Sequence, residues 1–273
     1  MQQLQETGFV EVARLSADLG ADRSTIRRDL RALELRGLVR RTRGGAVPGP
    51  ASGHADIPYE VKRMEHTPAK EAIGAFAAEL VGSGEAVLLD SGSTTFQVAK
   101  SLRHRHDISV VTNDLNVAMA LADSPGIQLV LTGGVLLESV YTLVGPRTIE
   151  ELRGLHVDRA FLGADAIDRD AGITNVTFVE VDVKRAMIAA AREVVVVADS
   201  SKFGHRALAP VCSLDGVDLI VTDELLDPGI RGHYGDRLRC VPVPTGAPVS
   251  GSDGAVWSRR QLGRDLPAIL ANP

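Results

Sequence analysis

The sequence has no lysine among its first 50 residues, two cysteines in 273 and an aromatic content of 4%. Each scarcity excludes something. Cys212 and Cys240 have neither metal-ligand spacing nor a paired motif, so a disulfide scaffold and a thiolate metal centre fall away, and each is expected as a buried free thiol. His104, His106, His156, His205 and His233 are scattered without metal-ligand spacing, so no metal or other cofactor is expected. No apolar run approaches the ~20 residues of a membrane span. The polar N-terminus carries no signal-peptide pattern, which predicts a cytoplasmic protein without membrane contact.

Basic residues are present but unevenly placed. The formal net charge of -5 conceals a head, residues 1–50, with nine arginines against six acidic residues. The remainder carries 21 basic and 29 acidic residues. A basic head on an acidic body is the distribution expected when only the head meets a polyanion.

Eight of the nine arginines lie between Arg23 and Arg43. Ile26, Leu30 and Leu33 recur at helical spacing, so one face packs inward and Arg27, Arg28 and Arg31 point away. A guanidinium makes two hydrogen bonds to a guanine edge or a phosphate. Before this helix, residues 1–7 and 10–19 read as helices stopped by Gly8 and Gly20, with Val12, Leu15 and Leu19 inward. Asp22 is the predicted N-cap of the third helix and Gly37 its end. Residues 38–43 read as a strand with alternating basic residues, Gly44-Gly45 as a turn, and Ala46-Val47 as the returning strand. The pattern predicts a winged helix-turn-helix over 1–47.

Pro48-Gly-Pro-Ala-Ser-Gly53 breaks the chain, and 48–69 is read as a linker, with 57–63 an arm onto the next domain. Thr67 as N-cap and Pro68 begin a helix to about Val81. Over 70–243, strands are predicted at 86–89, 108–112, 127–132, 157–162, 194–198, 217–221 and 238–243. Helices are predicted at 94–102, 114–122, 147–153 and 177–192. Near-continuous apolar strands joined by helices imply a mostly parallel sheet covered on both faces, an α/β domain. Small polar residues follow the strands: Asp90-Ser-Gly-Ser-Thr-Thr95, Thr112-Asn-Asp114, Thr132-Gly-Gly134, Gly163-Ala-Asp165, Asp199-Ser-Ser-Lys202 and Thr222-Asp-Glu224. Any one of these loops is explained by turn and capping chemistry. Six at the edge where such sheets bind ligands point to a crevice, with Ser91–Thr95 at a helix N-terminus as a phosphate cradle. Residues 244–273 read as a flexible tail with a helix candidate at 258–270.

VEVARLSADLGADRSTIRRDLRALELRGLVRRTRGGAV, with its TIRRDL core and terminal RGGAV, resembles the winged helix-turn-helix of the DeoR family of transcriptional regulators. The family's first helix usually begins further upstream, so either the natural start precedes Met1 or this head is less stable than its relatives. The strand-end loops over about residues 70–226 are similar to the family's sensor domain, which is related in fold to ribose-5-phosphate isomerase. The resemblance implies a repressor of a carbohydrate operon that binds double-stranded operator DNA and a phosphorylated sugar. It implies DNA contacts from Arg23, Ser24, Thr25, Arg27, Arg28, Arg31, Arg40, Arg41 and Arg43. It implies phosphate contacts from Ser91, Gly92, Ser93, Thr94 and Thr95, a pocket lined by Asp90, Asn113, Asp114 and Gly133, and sugar contacts from Asp165, Glu180, Lys184 and Lys202. Glu180 and Lys184, spaced i, i+4, read on their own as a surface ion pair. Isomerase activity retained by an Asp165/Lys184 set is the alternative, since a carboxylate can move a proton between sugar carbons. A single winged head spans few base pairs, so a dimer or tetramer is expected.

Overall fold

The computed structural model describes residues 10–35, 39–42, 44–48, 59–138 and 140–244. The predicted helix at 1–7, Gly37, Arg43 and the tail lie outside them. The head opens with a two-residue strand β1 (Val10–Glu11), then helices α1 (Val12–Leu19) and α2 (Arg23–Leu35), then strands β2 (Val39–Thr42) and β3 (Gly45–Pro48). The helix predicted from Val10 starts two residues later, because Val10 and Glu11 pair antiparallel with Ala46 and Gly45. The sheet order is β1-β3-β2. Gly20 ends α1 in the left-handed region at φ 62°, a conformation that favours glycine. Leu19 is 68% exposed, not inward. Val12, Ile26, Leu30, Val39 and Ala46 form the buried core, with Leu15 and Leu33 packed beside it.

Asp22 accepts from Ser24 N at 2.7 Å and Thr25 N at 3.1 Å. It also accepts from both hydroxyls, at 2.5 and 2.9 Å. The Ser24 hydroxyl and these partners hold the Asp22 carboxyl well below the usual carboxylate range.

The arm is a short helix α3 (Tyr59–Met64), followed by α4 (Thr67–Glu79). His66, not Thr67, is the N-cap of α4. The Thr67 hydroxyl donates instead to Arg63 O at 3.1 Å, closing the end of α3. Tyr59 is buried and meets Phe96 and Tyr141 edge-on, with ring centroids 6.5 and 6.1 Å apart.

The body continues β4 (Ala86–Leu89), α5 (Ser93–Leu102), β5 (Ile108–Thr112), α6 (Leu115–Leu121), β6 (Ile127–Leu131), β7 (Val135–Leu137), β8 (Thr142–Val144), α7 (Pro146–Arg153) and β9 (Val157–Leu162). It then runs β10 (Ala166–Asp168), β11 (Gly172–Asn175), α8 (Val181–Ala190), β12 (Ala191–Val197), β13 (Ala209–Cys212), β14 (Leu219–Asp223), α9 (Pro228–Arg231) and β15 (Leu238–Val241). Seven strands form one parallel sheet in the order β15-β14-β12-β9-β4-β5-β6, and β10-β11-β13 form a separate three-stranded sheet. Alternate residues of each central strand feed opposite layers, as the two-residue period requires. Leu88, Leu162 and Val196 pack with Leu152 and Met187 on one side. Val87, Leu89, Phe161 and Val195 pack with Ile73, Leu102 and Leu121 on the other. A Cβ on Gly74 would fall 2.5 Å from the Gln97 carbonyl carbon, so α4 and α5 meet backbone to backbone.

The helix predicted over 177–192 is shorter, because Ala191 onward pairs with β9 from Ala191↔Val157. The strand predicted at 217–221 runs 219–223. Cys212 and Cys240 are free but only partly buried. Among the described residues no helix is long and apolar enough to cross a membrane.

Candidate functional site

The strand order reverses at β4: β5 and β6 extend the sheet one way, and β9, β12, β14 and β15 the other. At such a switch point the loops leaving neighbouring strands part and leave a crevice. A cleft with a volume of about 60 Å³, open to solvent, lies there. The loop after β4 supplies Ser91, Gly92, Ser93 and Thr94 to its lining, and the loop after β9 supplies Gly163, Ala164 and Asp165.

Gly92 has φ 141°, which turns the chain sharply into α5. That helix has no side-chain cap, so its first-turn N–H groups have no intrahelical acceptor. Ser93 and Thr94 of that turn line the cleft, which brings the positive end of the helix dipole to it, a setting for an anion. The Gly92 N–H itself is taken by Asp114 Oδ2 at 3.2 Å.

Four lysines line the cleft: Lys62, Lys70, Lys184 and Lys202. Lys62 Nζ binds Asp165 Oδ1 at 2.9 Å. Lys184 Nζ bonds the buried Asp90 carboxylate and, at 2.9 Å, Gly163 O. Lys70 Nζ donates to the carbonyls of Lys62 and Glu65 and lies 3.8 Å from Asp199. Lys202 makes no ion pair among the described residues. Lys202 and the α5 N-terminus are therefore the positive groups of the cleft without an ion-pair partner among the described residues. Burial opposes the Asp165 carboxylate, but the Lys62 ammonium and the Val176 N–H outweigh it and hold it below the usual range. Burial pushes Glu180 up. Burial also opposes the Lys184 ammonium, yet Asp90 and Glu180 hold it above the usual lysine value.

On the head, Arg23, Arg27, Arg28 and Arg31 are exposed along α2 while Ile26 and Leu30 are buried. The Arg41 backbone N–H donates to Glu34 Oε1 at 2.8 Å, which docks the β2–β3 wing on α2.

Residues 1–48 match the DeoR-like helix-turn-helix domain and residues 65–224 the DeoR C-terminal sensor domain. The chain belongs to the DeoR family of transcriptional regulators. This DeoR-family regulator is 38% identical over 220 residues to the HTH-type transcriptional regulator GlpR of Haloferax volcanii, covering 81% of this chain and 86% of that one. It is 32% identical over 220 residues to the glycerol-3-phosphate regulon repressor of Escherichia coli K12, with the same coverage. These relatives are regulators, not enzymes. Among solved structures, ribose 5-phosphate isomerase A from Methanocaldococcus jannaschii is similar over 49% of this chain and 53% of its own, at 21% identity and a TM-score of 0.37.

In this DeoR-family regulator the predicted site residues divide. Ser91, Gly92, Ser93, Thr94, Asp165, Glu180, Lys184 and Lys202 share the cleft. Asp90 lies one layer behind it, bonded to Lys184 and, at 3.0 Å, to Gly163 N. Thr95, Asn113, Asp114 and Gly133 do not line it. The Thr95 hydroxyl donates to Gly92 O at 2.9 Å, Asn113 Nδ2 to Leu143 O at 3.0 Å, and Gly133 N to Glu151 Oε2 at 2.7 Å. Asp114 caps α6 through Asn116 N and Val117 N. Lys184 pairs with Asp90, 94 positions away, rather than with its helix neighbour Glu180. Ser24 and Thr25 are engaged in the Asp22 cap. The side chains of Arg40 and Arg43 lie outside what is described. Tyr59 and Lys62, in the segment read as an arm onto the next domain, stand in the cleft wall, as do Lys70, Val140 and Asn175, which no pattern in the sequence assigns to a site.

Burial pushes Asp114 up to about 7, against three backbone N–H donors that favour its charge. A carboxyl whose folded value exceeds its unfolded one takes up a proton on folding. Its contribution to stability is full below the unfolded value and is lost as pH rises through the folded one. Urea unfolding from pH 5 to 7.5 should therefore show wild-type stability falling relative to Asp114→Asn. Parallel curves would mean that Asp114 stays ionised throughout.

Proposed function

We propose that this regulator is a repressor of a carbohydrate-metabolism operon, that its arginine-lined α2 and wing bind operator DNA as a homo-oligomer, and that a phosphorylated sugar or polyol in the cleft lowers that affinity. The observation that carries the reading is that the uncapped α5 N-terminus and Lys202 line one cleft otherwise rich in hydroxyls and paired charges. A phosphate fits the first pair of features, and sugar hydroxyls fit the rest. The name of the glycerol-3-phosphate regulon repressor points to the same chemical class. Coupling has a route, because Lys62 belongs to the arm that follows the DNA-binding head in sequence. An anion entering beside Asp165 competes with that carboxylate for Lys62. Only a ligand that binds one arrangement of the arm more tightly shifts the balance.

The test is Thr94→Asp. A carboxylate in the first turn suits the helix dipole, so α5 is kept, but it repels phosphate. The variant should bind operator normally and lose both the thermal stabilisation by sugar phosphates and their effect on DNA binding. A variant that still responds places the anion elsewhere.

A further inference from the structure

The cleft wall holds a polar atom to which nothing above gives a task. Asn175, the last residue of β11, is 2% exposed and lines the cleft. Its Nδ2 donates to Glu180 Oε2 at 3.3 Å, which sets the orientation of the amide. Its Oδ1 is buried and accepts no hydrogen bond among the described residues. Such an oxygen is uncommon in a folded interior, because desolvation without a donor is costly. Three donors grouped about its partner Glu180 are committed. Lys184 Nζ is held by Asp90 and Gly163 O. The Thr177 hydroxyl donates to Glu180 Oε2 at 2.9 Å, and the Ser91 hydroxyl to Glu180 Oε1 at 3.4 Å.

We infer that Asn175 is a specificity-determining residue whose Oδ1 accepts a hydrogen bond from a hydroxyl of the bound effector. This rests on the sugar-phosphate reading of the same cleft and adds the ligand's orientation to it. Asn175 Oδ1 and the Glu180 carboxyl are both acceptors, so a second anionic group placed there would meet acceptors alone, whereas a hydroxyl supplies the missing donor. The phosphate end then lies at Ser93, Thr94 and Lys202, and the hydroxyl-bearing end at Asn175. The class selected is a monophosphate ester of a polyol or sugar with a free hydroxyl within reach of Asn175. Bisphosphates and deoxy analogues at that hydroxyl are disfavoured. A site built to hydrogen-bond a hydroxyl discriminates against its absence because its own polar atom is left unpaired.

The experiment is calorimetric titration of the full chain with inorganic phosphate, with glycerol, pentose and hexose monophosphates, and with monodeoxy analogues of the tightest binder. In the wild type, removal of one hydroxyl should weaken binding about tenfold or more. Asn175→Ala should weaken the parent ester by a similar factor, bind that deoxy analogue as well as the parent, and leave inorganic phosphate within about twofold. Asn175→Leu, closer in volume, carries the same expectation should the alanine variant fail to melt cooperatively. An unchanged parent-to-deoxy ratio in the variants overturns the role of Asn175 and leaves the sugar-phosphate reading standing. A wild type that binds none of the esters overturns both.

Discussion

Replacing Lys184 with Met should lower the stability of the sensor body by about 3–5 kcal/mol, the usual consequence of stranding one member of a buried ion pair. Lys184 and Asp90 are 3% and 1% exposed. Without the ammonium, Asp90 keeps the Gly163 N–H at 3.0 Å but has no countercharge. The melting temperature should drop by roughly 10 °C. The loss should be largely recovered by adding Asp90→Asn, which removes the stranded charge. That pairing of single and double variants separates a buried ion pair from simple loss of packing. If the double variant is no more stable than Lys184→Met, the aliphatic stem rather than the charge carries the effect. The raised value of Lys184 keeps its ammonium charged throughout the neutral range, so the effect should be the same at pH 6 and pH 8.

The second large effect belongs to the head. Arg27→Ala with Arg28→Ala should reduce operator affinity by about tenfold or more for each arginine, the size of one hydrogen-bonded interaction with a base or phosphate. Both side chains are exposed, and Arg28 makes only a loose 3.8 Å pair with the exposed Asp29. Alanine is a good helix former, so α2 and the small core beneath it should be retained. Fluorescence anisotropy against salt concentration gives a second readout. Each arginine that no longer neutralises a phosphate makes the slope of log affinity on log salt shallower by about one. Affinity within twofold of wild type, with an unaltered slope, would move the DNA-binding face off α2.

The parallel sheet is legible in the sequence because its strands are buried on both faces and read as apolar runs, of which Val194–Val197 is the plainest. Ala166–Asp168, Gly172–Asn175 and Ala209–Cys212 are not. They are three or four residues long and sit in a small separate sheet, where no two-residue period has room to show. In the cleft, the Ser91–Thr94 loop is legible from its position after an apolar strand. Lys62 and Lys70 are not, because a lysine in an amphipathic helix ordinarily faces water. The pattern points Asn113 and Asp114 toward the pocket on the same grounds as Ser91, yet Asp114 spends its carboxylate on the α6 cap and the Gly92 N–H. Polar side chains at a strand end serve the backbone or a ligand with equal facility, and only the three-dimensional arrangement distinguishes the two. Asn175 lies beyond reach because its strand does.

The pairing of Val10 with Ala46 has a consequence for how the head comes together. The third strand of the wing sheet lies at the opposite end of the module from the hairpin it completes, so both helices must be enclosed before that ladder can close. Local helix formation is fast, whereas joining distant segments costs loop entropy that the final contacts alone repay. The β1–β3 ladder, rather than the local β2–β3 hairpin, is thus the last part of the head expected to acquire protection against amide exchange.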